Sequence, residues 1–150
     1  MDAGRFGIGI IDTMIGFPTD PGKLYAKMRQ DLLRDRESRE SFAMPAEYMF
    51  HDVPERAQQT DPVAFTLAEM DRHGIEIGLV SLSADVELVS RALAEHPDRF
   101  IASFTVDPNE GMDGIGKLVA AHERSGVRAT SVFPHGTSPQ VAIDAPRMYP

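Results

Sequence analysis

A strand-helix unit that recurs about every 26 residues is the feature that most restricts the fold of this 150-residue chain. Gly74 and Gly126 each follow an apolar helical stripe and precede an apolar run, with one complete unit between them. Glycine at such a helix end supplies the positive φ that the cap favours. The alternation predicts an α/β fold whose sheet is parallel and whose crossovers are right-handed. A doubly wound open sheet and part of a (β/α)8 barrel both fit this pattern.

The predicted strands and helices follow from short apolar runs and from helix-start signals. The first strand is a short apolar run bounded by turn formers, and we expect it to lie at the centre of the sheet, to be buried on both faces and to end at Asp12. Asp61 with Pro62 begins the first regular helix. The predicted strands are 6–11, 75–81, 100–106 and 127–133, and the later helices are 84–95 and a segment that ends before Gly126. A four-stranded sheet would leave its last edge unpaired. We therefore expect a single domain, residues 1–150, that forms the N-terminal half of a (β/α)8 barrel.

Residues 19–60 interrupt the repeat and are predicted to be an insertion after the first strand. A helix with Leu24, Met28 and Leu32 on one face opens it, and the mixed charges of 34–40 predict a solvated helix. Aromatic residues and prolines between 42 and 54 predict an ordered loop with an apolar underside. That loop either packs against the barrel rim or a partner subunit, or covers a substrate.

Composition excludes several classes of function. A net charge of -8 argues against nucleic acid or an anionic membrane as the main partner. The absence of cysteine excludes disulfides, thiolate catalysis and thiolate metal sites. No apolar run reaches the roughly 20 residues of a membrane-spanning helix, and no secretory leader is recognisable at the N-terminus. We expect a cytoplasmic protein with a small-molecule substrate and a homo-oligomeric assembly.

Several joins between predicted elements have recognisable residue patterns. They are Ile11-Asp12 with the long insertion after it, the run 67–75, the phrase His96-Pro97-Asp98-Arg99-Phe100, and the segments 125–136 and 144–150. Together they resemble amidohydrolase family 2, the group that contains aminocarboxymuconate semialdehyde decarboxylase. The resemblance implies a TIM barrel with hydrolase or decarboxylase (lyase) activity on a small carboxylate-bearing compound. It also implies a divalent metal, usually zinc.

The first two metal ligands that the resemblance implies are missing from this sequence. The family's His-x-His pair falls on Met14 and Gly16, and neither a thioether nor a glycine suits zinc or manganese. We therefore assign no metal ligand, and the cofactor stays unknown. The alternatives are a metal-independent enzyme of this type and a non-catalytic binding or assembly protein with the same fold.

Candidate site residues are the polar and aromatic side chains near strand ends. Asp12 and His135 are the predicted catalytic pair, because parallel strands deliver their carboxyl ends to a common rim. The predicted substrate-binding residues are Met14, Phe17, Ser83 and Asp107. Two alternatives stay open: Asp107 is also well placed to cap a helix before Pro108, and His135 to be an exposed loop residue.

Three other histidines have a structural explanation. His73, His96 and His122 lie in the last turns of predicted helices, where the helix dipole favours a positive charge. Ser81 and Thr105 are further hydroxyls at strand ends, but no Gly-x-Ser-x-Gly elbow, P-loop or complete dinucleotide fingerprint occurs.

Overall fold

A computed structural model describes residues 9–18, 33–42, 49, 61–83 and 85–148. The chain divides into two compact units, one of residues 1–17 with 63–150 and one of residues 18–62. The predicted insertion, 19–60, falls within the second unit. Its predicted apolar helix and most of its aromatic loop lie outside the described residues, so both stay predictions.

The first unit is built on a four-stranded parallel sheet. Its strands are β1 (Ile10–Ile15), β2 (Ile75–Ser81), β3 (Phe100–Thr105) and β4 (Ala129–Ser131), in the spatial order β1-β2-β3-β4. All three strand pairs are parallel, as predicted. A doubly wound sheet reverses its strand order at a switch point, whereas a barrel adds each strand beside the previous one. The observed order is therefore that of a barrel.

Three helices connect successive strands of the first unit. They are α2 (Pro62–His73), α3 (Val86–Glu95) and α4 (Met112–Ser125), and a short helix α1 (Arg36–Glu40) precedes them in the second unit. α3 begins two residues later than predicted, because the Asp85 carboxylate caps it by accepting from the Leu88 amide at 3.0 Å. Gly74 and Gly126 have φ of 67° and 64°, which confirms the predicted left-handed caps.

The hydrophobic core lies between this sheet and its helices. Every second residue of β2 and β3 faces the helices, as the buried Val80, Phe100 and Ala102 show. Residues from all three helices complete the core: Val63, Met70, Val89, Ala92 and Ala121. The other side of the sheet presents Leu79 and Ser81, which are only half-buried. Three short 3-10 turns, Pro108–Glu110, Pro134–Gly136 and Pro146–Met148, lie in the loops that follow β3 and β4.

The first strand differs from its prediction in three respects. It continues past Asp12 to Ile15, because the chain stays extended through an irregularity in the ladder between these two residues. Among the described residues β1 pairs with β2 alone, so it is an edge strand rather than the centre of the sheet. It is not buried on both faces either, since Ile11 is 54% exposed and Met14 91% exposed.

The second unit contains α1 (Arg36–Glu40), which has no buried residue. This confirms the solvated helix predicted for the charged stretch. Asp35 caps α1, and its carboxylate accepts from the Ser38 amide at 2.7 Å. That hydrogen bond lowers the pKa of the Asp35 carboxyl, with a further lowering by the Ser38 hydroxyl. Within the described parts of both units, no helix has the length and apolar character needed to cross a membrane.

Candidate functional site at the carboxyl ends of the strands

Ser81, Thr105 and Ser131 form a row of hydroxyls across three neighbouring strands. Each is the last residue of its strand. The Thr105 Oγ1 lies 3.0 Å from the Ser131 Oγ and 3.4 Å from the Ser81 Oγ. Register places all three on the side of the sheet that faces away from the helices. We call these residues the hydroxyl row.

Ser83 holds the hydroxyl row from the loop that follows β2. Its hydroxyl accepts from the Thr105 amide at 3.0 Å, and its own amide donates to the Ser81 Oγ at 3.2 Å. Ser83 was predicted to bind substrate directly. In the structure it links β2 to β3 and fixes two members of the row.

The chemistry of the hydroxyl row is that of a neutral hydrogen-bonding surface. Each hydroxyl is one donor and two acceptors, so a row of three can donate to an anion while its members remain bonded to one another. Ser81 and Thr105 are half-buried and Ser131 is exposed, which leaves the row accessible. In TIM-barrel enzymes the active site lies at this carboxyl-end face.

His135 belongs to the loop that follows β4, next to this edge of the sheet. It lies in the 3-10 turn Pro134–Gly136 and is exposed. Its carbonyl accepts from the Gln140 side chain at 3.0 Å. The structure thus places His135 at the predicted rim, on the same strand connection as Ser131.

Asp107 performs the structural role that the sequence left open. Its carboxylate accepts from the Asn109 amide at 2.9 Å and caps the 3-10 turn Pro108–Glu110. The capping interpretation is confirmed. Asp107 still lies just beyond the end of β3, so it borders the carboxyl-end face.

Asp12 lies within β1, whereas His135 belongs to the loop that follows β4, the strand at the other end of the described sheet. β1 and β4 are the outermost strands, and three strand spacings separate them by about 14 Å along the sheet. Asp12 also pairs in register with Gly78, on the side of the sheet that carries the buried Val80. Its carboxylate accepts from the Met14 amide at 2.9 Å. The register therefore places Asp12 on the helix-facing side of the sheet, within β1 and not at its carboxyl end.

Met14 and Phe17, both predicted to bind substrate, have different environments. Met14 is almost fully exposed beside the bulge in β1. Phe17 packs edge-to-face on Phe100, with ring centroids 5.5 Å apart, and contacts the core. Phe17 accordingly contributes to packing between β1 and the helical layer.

The metal positions implied by the family resemblance do not fit a divalent ion. Met14 is a poor ligand, and Gly16 has no side chain and no described atom within 4 Å of where a Cβ would lie. Among the described residues, no three His, Asp or Glu side chains gather at one point. No mechanistic step through a metal is therefore assigned to Met14 or Gly16.

The three helix-end histidines are where the sequence predicted them. The His122 Nδ1 lies 2.7 Å from the Val127 carbonyl, across the Gly126 cap. His73 lies 3.7 Å from the Glu69 carboxylate, and the His96 ring contacts the edge of Phe100. These contacts are consistent with structural roles at the ends of helices.

A groove lies at the amino ends of the strands, at the opposite end of the sheet from the hydroxyl row. It is an open groove of about 510 Å³ lined by 71, 74–77, 98 and 99. Arg99 is one of the lining residues, and its guanidinium donates to Asp71 at 2.7 Å and to the carbonyls of Glu76 and Ile75. At this end of a barrel, side chains generally serve stability rather than catalysis.

Sequence reasoning missed Ser131 and Asn109. Ser131 carries a signal that was available, because a hydroxyl residue ends each of three strands at intervals of 24 and 26 residues. That interval is the repeat length itself. Asn109 carries no such signal, since its partners are distant in sequence.

Comparison with known proteins supports the fold and leaves the activity open. No protein-family model and no curated protein matches the chain. Among solved structures it is similar to an uncharacterized TIM-barrel protein, Bb4693 from Bordetella bronchiseptica, with a TM-score of 0.51 and 16% identity. The fold is that of a TIM barrel. The similarity covers 95% of this chain and 50% of Bb4693, so the chain spans about half the length of that neighbour.

Proposed function

We propose that this chain forms the catalytic face of a TIM-barrel hydrolase or carboxy-lyase of the amidohydrolase type, acting on a small carboxylate-bearing compound. The observation that carries the proposal is the hydroxyl row at the carboxyl ends of β2, β3 and β4. The resemblance of the element joins to amidohydrolase family 2 supports the reaction class. A cytoplasmic location and a homo-oligomeric assembly are further parts of this proposal.

The hydroxyl row is proposed to bind the substrate carboxylate. Thr105 lies between its two neighbours, so it can accept from one of them while its own proton is donated to a carboxylate oxygen. Hydrogen bonds to a charged acceptor are stronger than neutral ones. This binding mode needs no basic residue, which suits a chain of net charge -8.

His135 is the proposed general acid or base. An imidazole exchanges its proton near neutral pH, and exposure at the rim leaves the His135 ring reachable by a bound substrate. Asp12 was the other predicted catalytic residue. Its register with Gly78 supports a structural role for Asp12, so the mechanism proposed here relies on His135.

A non-catalytic binding or assembly role is the second candidate. It is favoured by one observation, the presence of Met14 and Gly16 where the resemblance expects metal ligands. In that case the hydroxyl row would still bind a small carboxylate, but His135 would have no role in turnover.

Binding can be tested before the substrate is known. Ligand-observed NMR would measure the affinity of acetate, malonate and benzoate, with their methyl esters as uncharged controls. We expect the acids to bind and the esters not to bind. Thr105→Val should weaken binding by about tenfold, the value of one hydrogen bond to a charged group.

Thr130→Val is the matched control for this experiment. Thr130 precedes Ser131, but its hydroxyl donates to the Phe104 carbonyl and is not part of the row. Equal losses in both variants, or equal binding of acids and esters, would contradict the proposed site. The two candidate functions separate in a turnover screen that follows carbon dioxide release and amide or ester hydrolysis, in which His135→Ala must abolish any activity found. Elemental analysis of the same sample then shows whether a metal accompanies that activity.

A further inference from the structure

We infer that Asn109 is a positioning residue that holds the loop carrying His135 over the carboxyl ends of the strands. The loop comprises residues 132–148 and is called here the rim loop. The mechanical part of this inference stands on contacts alone. Its importance for catalysis rests on the function proposed above.

Asn109 joins two connections that are far apart in sequence. It lies in the 3-10 turn after β3, and its side-chain amide donates to the Pro139 carbonyl at 2.8 Å. Its side-chain oxygen accepts from the Arg147 guanidinium at 3.0 Å. One side chain therefore holds the rim loop at two points, near its middle and near its end.

The first of these points leads directly to His135. Pro139 precedes Gln140, and the Gln140 side chain donates to the His135 carbonyl at 3.0 Å. The bonds from Asn109 to Pro139 and from Gln140 to His135 are thus separated by a single peptide unit. A shift of Pro139 should be transmitted to the catalytic candidate.

The rim loop is ordered internally, so it should move as one piece. The Pro134 carbonyl accepts from both the Thr137 hydroxyl, at 2.8 Å, and the Val141 amide, at 3.2 Å. Val141 is 2% exposed and Thr137 is 8% exposed, although Val141 is outside the main core cluster. These contacts keep the loop compact, while Asn109 fixes its place relative to β3.

Asparagine suits this position because its amide is a donor and an acceptor at once. An aspartate could still accept from Arg147, but it could not donate to the Pro139 carbonyl. The backbone of Asn109 is itself fixed, because its amide donates to the Asp107 carboxylate at 2.9 Å. The cap formed by Asp107 therefore also helps to hold Asn109 in the position from which it contacts the rim loop.

Hydrogen–deuterium exchange of the whole chain tests the mechanical part without any ligand. Asn109→Ala should accelerate exchange in peptides covering 133–148 by about tenfold, which corresponds to two lost hydrogen bonds of modest net value. Asn109→Asp and Arg147→Met each remove one of the two bonds and should give intermediate effects. Lys117→Met is the control, since it breaks the ion pair between Lys117 and Glu110 of the same turn without removing a bond to the rim loop.

The outcomes separate the inference from the proposed function. Unchanged exchange in 133–148 for both Asn109→Asp and Arg147→Met would overturn it, as would equal acceleration over the whole first unit. If a substrate is found, Asn109→Asp should lower kcat more than it changes KM, because the hydroxyl row that binds the carboxylate is intact. A change in KM with an unchanged kcat would contradict the positioning of His135 by Asn109. If no turnover is found, the exchange experiment alone decides whether Asn109 holds the rim loop.

Discussion

The guanidinium of Arg99 donates to the carboxylate of Asp71 at 2.7 Å and so joins the end of α2 to the start of β3. Two further bonds reach the carbonyls of Glu76 and Ile75, at the start of β2. Arg99 belongs to the phrase that carries part of the family resemblance. The Arg99 side chain is 29% exposed and the Asp71 side chain 67% exposed, so water screens the ion pair, and the bonds to the two carbonyls add to what the pair contributes.

Replacing Arg99 should destabilise the first unit. Arg99→Met removes the donor of three hydrogen bonds and should lower the free energy of unfolding by about 1–2 kcal/mol. Urea denaturation followed by circular dichroism measures this change. Arg72→Met is the control, because Arg72 makes only a 3.7 Å exposed pair with Glu69 and should cost less than about 0.5 kcal/mol. Similar losses of stability in both variants would contradict a stabilising role for the three Arg99 hydrogen bonds.

Two glycines on or beside α4 should respond in opposite directions to alanine. Gly126 has φ of 64°, so Gly126→Ala should destabilise by about 1 kcal/mol. Gly116 lies within the helix with no described atom within 4 Å of an added Cβ, so Gly116→Ala should stabilise by about 0.5–1 kcal/mol. Thermal melts of both variants provide the measurement. The same sign for both would show that the cap geometry is not as described.

Coupling within the hydroxyl row should follow distance. A double-mutant cycle of Thr105→Val with Ser131→Ala should give a coupling energy of about 0.5–1 kcal/mol, since the two oxygens are 3.0 Å apart. The cycle of Thr105→Val with Ser81→Ala should give a smaller value, because that pair is 3.4 Å apart. Equal or absent couplings in urea titrations would mean that the hydroxyls do not interact as a row.

Association through β1 should be sensitive to charge. Ile11 is 54% exposed on a strand that is the edge of the described sheet, and exposed apolar edges promote pairing between chains. Ile11→Lys should therefore lower the associated fraction seen by light scattering during size exclusion. Val119→Lys, at a similarly exposed apolar residue of α4, should leave it unchanged. A loss of association in the Val119 variant alone would place the contact on the helices.

The hydrogen bond from the Ser38 amide to the Asp35 carboxylate should be lost only at acidic pH. Because its pKa in the folded chain is lowered from the ordinary 3.8, the ionised cap contributes stability above that value and loses it as pH falls through the lower folded pKa. The Ser38 amide proton, observed by NMR, should shift with a midpoint below 3.8, and Asp35→Asn should remove the transition. A midpoint at or above the ordinary value would contradict the hydrogen bond.

The period of the sequence determined most of the fold. Residues 75–81 alternate as a strand, Gly74 and Gly126 end helices, and both features depend on interactions within a few residues. His122 at the end of α4 was predicted for the same reason. Such local preferences can be read without knowing which elements are neighbours in space.

The candidate site could not be predicted without the tertiary structure, because its residues come from different strand-helix repeats. Strand order placed β1 at one end of the described sheet, a ladder irregularity carried it past Asp12, and the register put that residue on the helix-facing side. The same order aligned three hydroxyls that lie at least 24 residues apart and brought Asn109 to a loop 30 residues away. Sequence spacing gives the length of each strand-helix repeat. Side-chain contacts between repeats depend on the register of neighbouring strands, and only long-range packing sets that register.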